Sequence, residues 1–299
     1  VARPKRKHRQ RARTAASLWA LGGLSLRELG RRTYLRSFEN DILARSAELS
    51  YYFVFALVPT LLFLTTLLGL LPSFDLMAQL MSYADRVLPR DAASLVKRTL
   101  GGVVSGASGG LLSVGVLAAL IGASSGMLSI MTALNAAYGI ADPRAWWEKR
   151  LIAIVLTVGF GVFFLTAMLL LVFGGRIGET VGDWVGLGPG AALTWRLLQW
   201  PVVIGLGLTG LTLVYHLAPA TERGWRGVTP GAVVALASWI VMSLGLRFYV
   251  NYFGSFNATY GSIGGVMLLM LWLYWSGVAL LVGAEIDSAI ERAARAGDA

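Results

Sequence analysis

Five polar side chains lie in or at the ends of long apolar runs: Glu48, Asn135, His216, Glu285 and Asp287. Glu48 enters the first run about one turn after its start, Asn135 and His216 end the second and fourth, and Glu285 and Asp287 close the last. A carboxylate at membrane depth needs a partner or a watery cavity. Gathered together, the five would form an inner polar vestibule able to bind a cationic group, a proton or a polar headgroup. Kept apart, Glu48 and Glu285 would pair with Arg45 or the basic 144–150 stretch and anchor helix ends. The residue types leave both readings open.

Arg247 belongs to the other end of the fifth run, among Tyr249, Tyr252 and Phe253. Snorkelling beside an aromatic belt accounts for it, and contact with a lipid phosphate or anionic solute is the sharper alternative. Pro59, in the middle of the first run, cannot donate to the carbonyl of Phe55, so it is either a gating hinge or a kink that shapes the bundle. Trp272 falls near the centre of the last run, where its indole N–H requires an acceptor.

The inventory for covalent or metal chemistry is poor. There is no cysteine, which excludes thiolate nucleophiles, disulfides and cysteine-bound zinc. Of two histidines one, His8, lies in the basic tail, so neither an HExxH pair nor a multi-histidine metal site exists, and no Walker loop is present. The GxGxxG string Gly205–Gly210 lies inside an apolar run and follows no strand. Gly122/Gly126 and Gly261/Gly265 are small-residue faces for close helix approach. No catalytic residue, cofactor or metal is therefore expected, and the chain is read as a non-enzyme.

The elements that must position these residues are membrane helices. With 56% hydrophobic and 14% charged residues, the chain has too little polar surface to clothe a soluble globule. Six spans are drawn, over Ala44–Leu71, Leu111–Ala136, Arg150–Gly174, Arg196–Leu217, Val228–Val250 and Ile263–Asp287. The predicted fold is all-α, a polytopic integral membrane protein of six transmembrane helices with interfacial amphipathic helices. Pro201 and Pro230 fall near the starts of their helices, where proline is tolerated. The basic tail, Arg144, Lys149, Arg150, Arg223, Arg226, Arg292 and Arg295 share one side, which the positive-inside rule assigns to the cytoplasm together with both termini.

Three segments follow: residues 1–43, a basic cytoplasmic tail with an amphipathic helix; 44–287, the membrane domain; and 288–299, a cytoplasmic C-terminal tail. Ser25-Leu26-Arg27-Glu28 has the form of a capping box, opening a helix with Leu35, Phe38 and Ile42 on one face. The outer loop 72–110 carries two apolar stripes at helical spacing, a lid or an interfacial pair, with the glycine-rich 101–110 as a hinge. Membrane lipids are the expected partners, anionic lipid at the basic tail in particular. An envelope protein partner and a homo-oligomer stay open, and nucleic acid is disfavoured.

The stretches Ser46-Ala-Glu-Leu-Ser-Tyr-Tyr52, Leu134-Asn-Ala-Ala-Tyr138, Trp225-Arg-Gly-Val-Thr-Pro-Gly231, Tyr249-Val-Asn-Tyr-Phe253, Tyr260-Gly-Ser-Ile-Gly264, Leu271-Trp-Leu-Tyr274 and Gly283-Ala-Glu285 resemble the YihY/BrkB family of bacterial inner-membrane proteins. That resemblance implies a six-helix inner-membrane protein, a link to virulence, and an asparagine near position 287, where this chain has Asp287. It also brings the label ribonuclease BN, which the residues do not support, since no metal cluster or acid/base pair accompanies the basic tail. The leading expectation is a transporter or translocation factor for a polar or amphipathic solute, a lipid among the candidates, without its own ATPase. The alternative is a non-transporting membrane scaffold for envelope machinery.

Overall fold

The computed structural model describes residues 18–69, 109–185, 190–220, 227–253 and 256–297. They form a 3₁₀ turn, Leu21–Gly23, and α1 (Leu26–Glu39), α2 (Ile42–Gly69), α3 (Gly109–Tyr138), α4 (Trp146–Val185), α5 (Gly190–Leu217), α6 (Pro230–Phe253) and α7 (Phe256–Gly297). There is no strand among the described residues. Five helices there are long and apolar enough to cross a membrane: α3 to α7. The first of the six expected spans falls on α2, whose side chains are described only to Leu57. The chain is thus an all-α, multi-pass membrane protein. The basic residues before Leu18, the 72–108 part of the outer loop and the side chain of the proposed hinge Pro59 lie outside the described residues, although Pro59 itself is within α2.

The helices divide into a centre and a periphery. In α3, 56% of the spanning window is buried, against 6% in α4 and α6, so α3 is central and the other two present apolar surface to lipid. α2 packs along α3, and small residues bring the two close: a Cβ added at Gly122 would lie 3.2 Å from Ala56 Cα, and one at Gly126 3.3 Å from the Phe53 ring. The Gly122/Gly126 face is therefore used inside the chain. Between α6 and α7, Trp272 Nε1 donates to Ser243 Oγ at 3.1 Å and Trp239 Nε1 to Ser276 Oγ at 2.9 Å. The acceptor that Trp272 requires is thus a serine on the adjacent helix.

Several element ends differ from the sequence reading. α7 has 42 residues and runs through the segment expected as a C-terminal tail as far as Gly297. At 1.5 Å per residue it is roughly 63 Å long, about twice a hydrocarbon core. Charges after Asp287 end the apolar run without ending the helix, because Ala289, Ala293, Ala294 and a Glu291–Arg295 pair at 3.7 Å favour continuation. Pro201 is inside α5, which begins at Gly190 rather than near Arg196; neighbouring helices make this tolerable in a membrane.

α1 also differs in the face it buries. Ser25 Oγ accepts from Glu28 N–H at 3.3 Å, the N-cap half of a capping box. Hydrogen bonds from Arg31 and Arg32 hold the Glu28 carboxyl down at about 2. The buried positions are Leu29 and Thr33; Leu29 and Leu18 pack on Ala289 and Ile290 of α7, whereas Leu35 and Phe38 are exposed. Ile42 belongs to α2 and is buried. The left-handed backbone of Asp41, φ 50°, separates the two helices, so the apolar spacing read across it marks no common face.

Candidate functional site

α7 is the hub of a polar layer at one end of the bundle. Thr229 Oγ1 accepts from Ala232 N–H at 3.2 Å and Pro230 occupies the first turn, so α6 starts where a side-chain cap and a residue without an N–H both suit a helix. The next orphan donor, Gly231 N–H, bonds Asp287 Oδ1 at 2.8 Å. Asp287, 2% exposed, thus sets its carboxylate on the positive end of α6.

Glu285, fully buried two residues earlier, takes a hydrogen bond of 2.5 Å from Asn40 Nδ2 at the end of α1. Its Oε2 is buried with no hydrogen-bond partner among the described residues. On the same side of α7 as Glu285, Ser288 Oγ and Arg292 Nη2 both donate to the carbonyl of Ala137. That carbonyl is one of those orphaned at the C-terminus of α3. The helix closes in a Schellman turn, with Ile140 N–H to Asn135 O, Gly139 N–H to Ala136 O, and Gly139 at φ 66°.

Asn135, 4% exposed, holds two loops together: Nδ2 donates to Asp142 Oδ2 at 3.2 Å, and Oδ1 accepts from Ala220 N–H at 2.8 Å. Arg144 Nη2 adds a bond to the Pro219 carbonyl, and Lys149 lies 3.7 Å from Asp142. His216 is half-buried in the last turn of α5, next to Tyr215, whose hydroxyl donates to the Leu280 carbonyl at 2.6 Å.

Glu285, Asp287 and Asn135 are therefore held individually, two of them by backbone N–H groups, at the same end of the bundle. Glu48 is elsewhere. It is exposed on α2 and accepts from Ser129 Oγ of α3 at 2.9 Å, while Ser46, two residues before it, packs against Gly277 of α7. Residues two apart on a helix point to nearly opposite sides. So α2 and α7 are neighbours, but Glu48 and Glu285 are not brought together. Arg247 is exposed beside Phe248, Tyr249 and Tyr252, roughly 26 Å along α6 from Pro230 and so near the far end of that span.

One residue missed as a site candidate is Arg150. Half-buried in the second turn of α4, it donates from Nη1 to Ser125 Oγ and from Nη2 to the Ile121 carbonyl, both at 3.1 Å. Its sequence signal is its place as the last charge, after Glu148 and Lys149, before the apolar run of the span Trp146–Ala167. Ser125 and Ser129 are one turn apart on α3, so Arg150 and Glu48 flank the same strip of that helix. Chemically the strip can neutralise charge and donate or accept hydrogen bonds. Among the described residues no three potential metal ligands of the His, Cys, Asp or Glu types lie together.

A sequence profile described as virulence factor BrkB matches residues 33–299. Putative ribonuclease-like protein YfkH of Bacillus subtilis is 38% identical over 83% of this chain and 90% of its own length. UPF0761 membrane protein Smlt0865 of Stenotrophomonas maltophilia is 27% identical over 87% of this chain, and a UPF0761 membrane protein of Xanthomonas campestris is 27% identical over 96%. The chain covers 60% and 63% of those two longer relatives. No solved structure matches.

Proposed function

We propose that this chain, which belongs to the virulence factor BrkB family, is a translocation factor for an amphipathic solute, a lipid in the first instance, working without an ATPase of its own. The observation that carries this reading is the charge along the half-buried Ser125–Ser129 strip of α3: Glu48 exposed, Arg150 half-buried, each met only by neutral groups among the described residues. Charged side chains in spanning segments are costly, face the bundle interior or a watery cavity, and mark solute pathways. The buried layer around α7 supports a different role, bracing helix ends. The scaffold alternative loses one of its motives, because Gly122 and Gly126 already pack on α2.

The test is reconstitution of the full chain in liposomes with a fluorescent short-chain phospholipid. Lipid should move between leaflets faster than in protein-free vesicles, as read by an impermeant quencher, and Arg150→Ala should remove most of the increase. Movement equal to protein-free vesicles would sink the translocation reading in favour of a scaffold.

The reading places the protein in the bacterial inner membrane with both termini cytoplasmic, on the strength of the lysine and arginine asymmetry. A cysteine at Ala145 of this thiol-free chain should resist an impermeant thiol reagent in intact cells, and one at Ser255 should react. The reverse pattern would invert the topology.

Ribonuclease chemistry is not part of the proposal, although one relative bears a ribonuclease-like name. The carboxylates of Glu285 and Asp287 face a side-chain amide and a backbone N–H and are 0% and 2% exposed, so neither is presented to a phosphodiester. Purified protein with added Mg²⁺ or Mn²⁺ should cleave RNA no faster than a mock preparation. Cleavage abolished by Glu285→Gln would assign that carboxylate a catalytic role instead.

A further inference from the structure

We infer that Glu48, Ser129, Ser125 and Arg150 form a binding site for one zwitterionic phosphoethanolamine headgroup, phosphate on Arg150 and ammonium on Glu48. The inference rests on the proposed handling of an amphipathic solute and names its class. Ser125 and Ser129 lie four residues apart on one face of α3, a rise of roughly 6 Å. Each serine hydroxyl holds one ion, Arg150 Nη1 at 3.1 Å and Glu48 Oε1 at 2.9 Å. No ion pair joins Glu48 to Arg150 and neither has another charged partner among the described residues, so opposite charges stand about one helical turn apart, bridged by neutral groups. A phosphate and an ammonium separated by a two-carbon linker have the same polarity and a similar reach.

The order of the charges across the membrane selects a lipid. Trp146 and Trp147 are 80% and 55% exposed at the start of α4, the position of an interfacial aromatic belt, and Arg150 is one turn farther along the helix. Ser129 is nearer than Ser125 to the Tyr138 end of α3, so the carboxylate sits toward the interface and the guanidinium a turn deeper. A phospholipid entering the leaflet presents its groups in that sequence: ammonium, phosphate, then acyl chain. Beyond Arg150 the surface is apolar, with Phe55, Leu117, Ile121 and Val155 all exposed. An anionic lipid would satisfy Arg150 and leave Glu48 facing a net negative headgroup. The zwitterion neutralises both charges, and its primary ammonium can hydrogen-bond the carboxylate where a quaternary one cannot.

The test is a titration of delipidated full chain in detergent with phosphatidylethanolamine, phosphatidylglycerol and phosphatidylcholine of identical acyl chains, read by native mass spectrometry. Phosphatidylethanolamine should bind about tenfold tighter than phosphatidylglycerol, the ratio that one charge-assisted hydrogen bond supports. Glu48→Gln should abolish that preference by weakening phosphatidylethanolamine binding and strengthening phosphatidylglycerol binding, and Arg150→Gln should weaken all three. Glu48 is exposed, so its variant should melt with the parent; Ser129→Ala, which frees the same carboxylate from its hydroxyl, gives a second reading of the preference. A preference for phosphatidylglycerol, or equal losses for both lipids in Glu48→Gln, would overturn the assignment. So would displacement of bound lipid by free phosphoethanolamine at the same concentration, which would identify a soluble solute. Selective binding without movement in liposomes refutes translocation alone, whereas movement without headgroup selectivity refutes this site alone.

Discussion

Gly231→Ala and Gly283→Ala should each prevent the chain from accumulating as a folded, monodisperse protein. A Cβ at Gly231 would overlap the Gly283 carbonyl and lie 2.6 Å from Asp287 Cγ and 2.7 Å from its Oδ1. One at Gly283 would overlap the Tyr215 hydroxyl and lie 2.5 Å from the Gly231 carbonyl and 2.7 Å from Ala235 Cβ. Most of these obstacles are backbone or short buried side chains that cannot swing away. Overpacking of this kind costs about 1–3 kcal/mol or more. Displacing the Asp287 carboxylate from Gly231 N–H forfeits a charge-assisted bond of about 1.5–3 kcal/mol. For Gly231→Ala the two together, about 2.5–6 kcal/mol, are a large part of the roughly 5–15 kcal/mol that holds an ordinary domain folded. Gly245, where an added Cβ meets nothing, is the control: Gly245→Ala should be neutral or stabilise α6 by up to about 1 kcal/mol. Fluorescence-detected size exclusion after a heating series reads all three. Melting of Gly231→Ala within two or so degrees of the parent would show that the α6–α7 crossing is looser than these distances state.

The helical, membrane-spanning character was legible because apolar runs of the right length have few other solutions in a chain this poor in charge. What composition hides is where a helix ends once it leaves the membrane. α7 continues through Glu291, Arg292 and Arg295, residues that terminate a hydropathy window and are good helix formers all the same. The same limit misassigned Leu35, Phe38 and Ile42 to one face, since a single left-handed residue, Asp41, resets the register.

For the site, the types of residue were legible and their partners were not. A buried carboxylate announces that something must satisfy it. That one oxygen of Asp287 is met by a backbone N–H 56 residues away, and one of Glu285 by an asparagine 245 residues away, depends on the crossing of whole helices. Arg150 was legible as a topological charge and, within the basic 144–150 stretch, as a partner offered to Glu48 and Glu285. Its pairing with Ser125 depends on how far α4 is shifted along α3, a quantity that no spacing within either helix records.

Asn135→Asp should destabilise the protein more than any other single-atom change at this end of the bundle, and Asp142→Asn should rescue it in part. Asn135 acts in both directions at once: its oxygen serves Ala220 N–H at 2.8 Å and its amide nitrogen serves Asp142 at 3.2 Å. Aspartate keeps the first bond and turns the second into two carboxylates in contact, at a residue only 4% exposed. The lost charge-assisted bond and the new repulsion together should cost about 3–4 kcal/mol. Asn135→Leu, which removes both bonds and leaves Ala220 N–H without an acceptor, should cost about 2–3 kcal/mol. In the double variant Asn135→Asp with Asp142→Asn, donor and acceptor exchange places and the 3.2 Å contact becomes favourable again. Asp142 also accepts from Arg144 N–H and faces Lys149, so the rescue should be incomplete, recovering about half of the loss. Melting temperatures of the parent, the two single variants and the double variant form a complete cycle. If the double variant melted at or below Asn135→Asp, the contact would contribute nothing, and the two loops would be held by Arg144 on the Pro219 carbonyl instead.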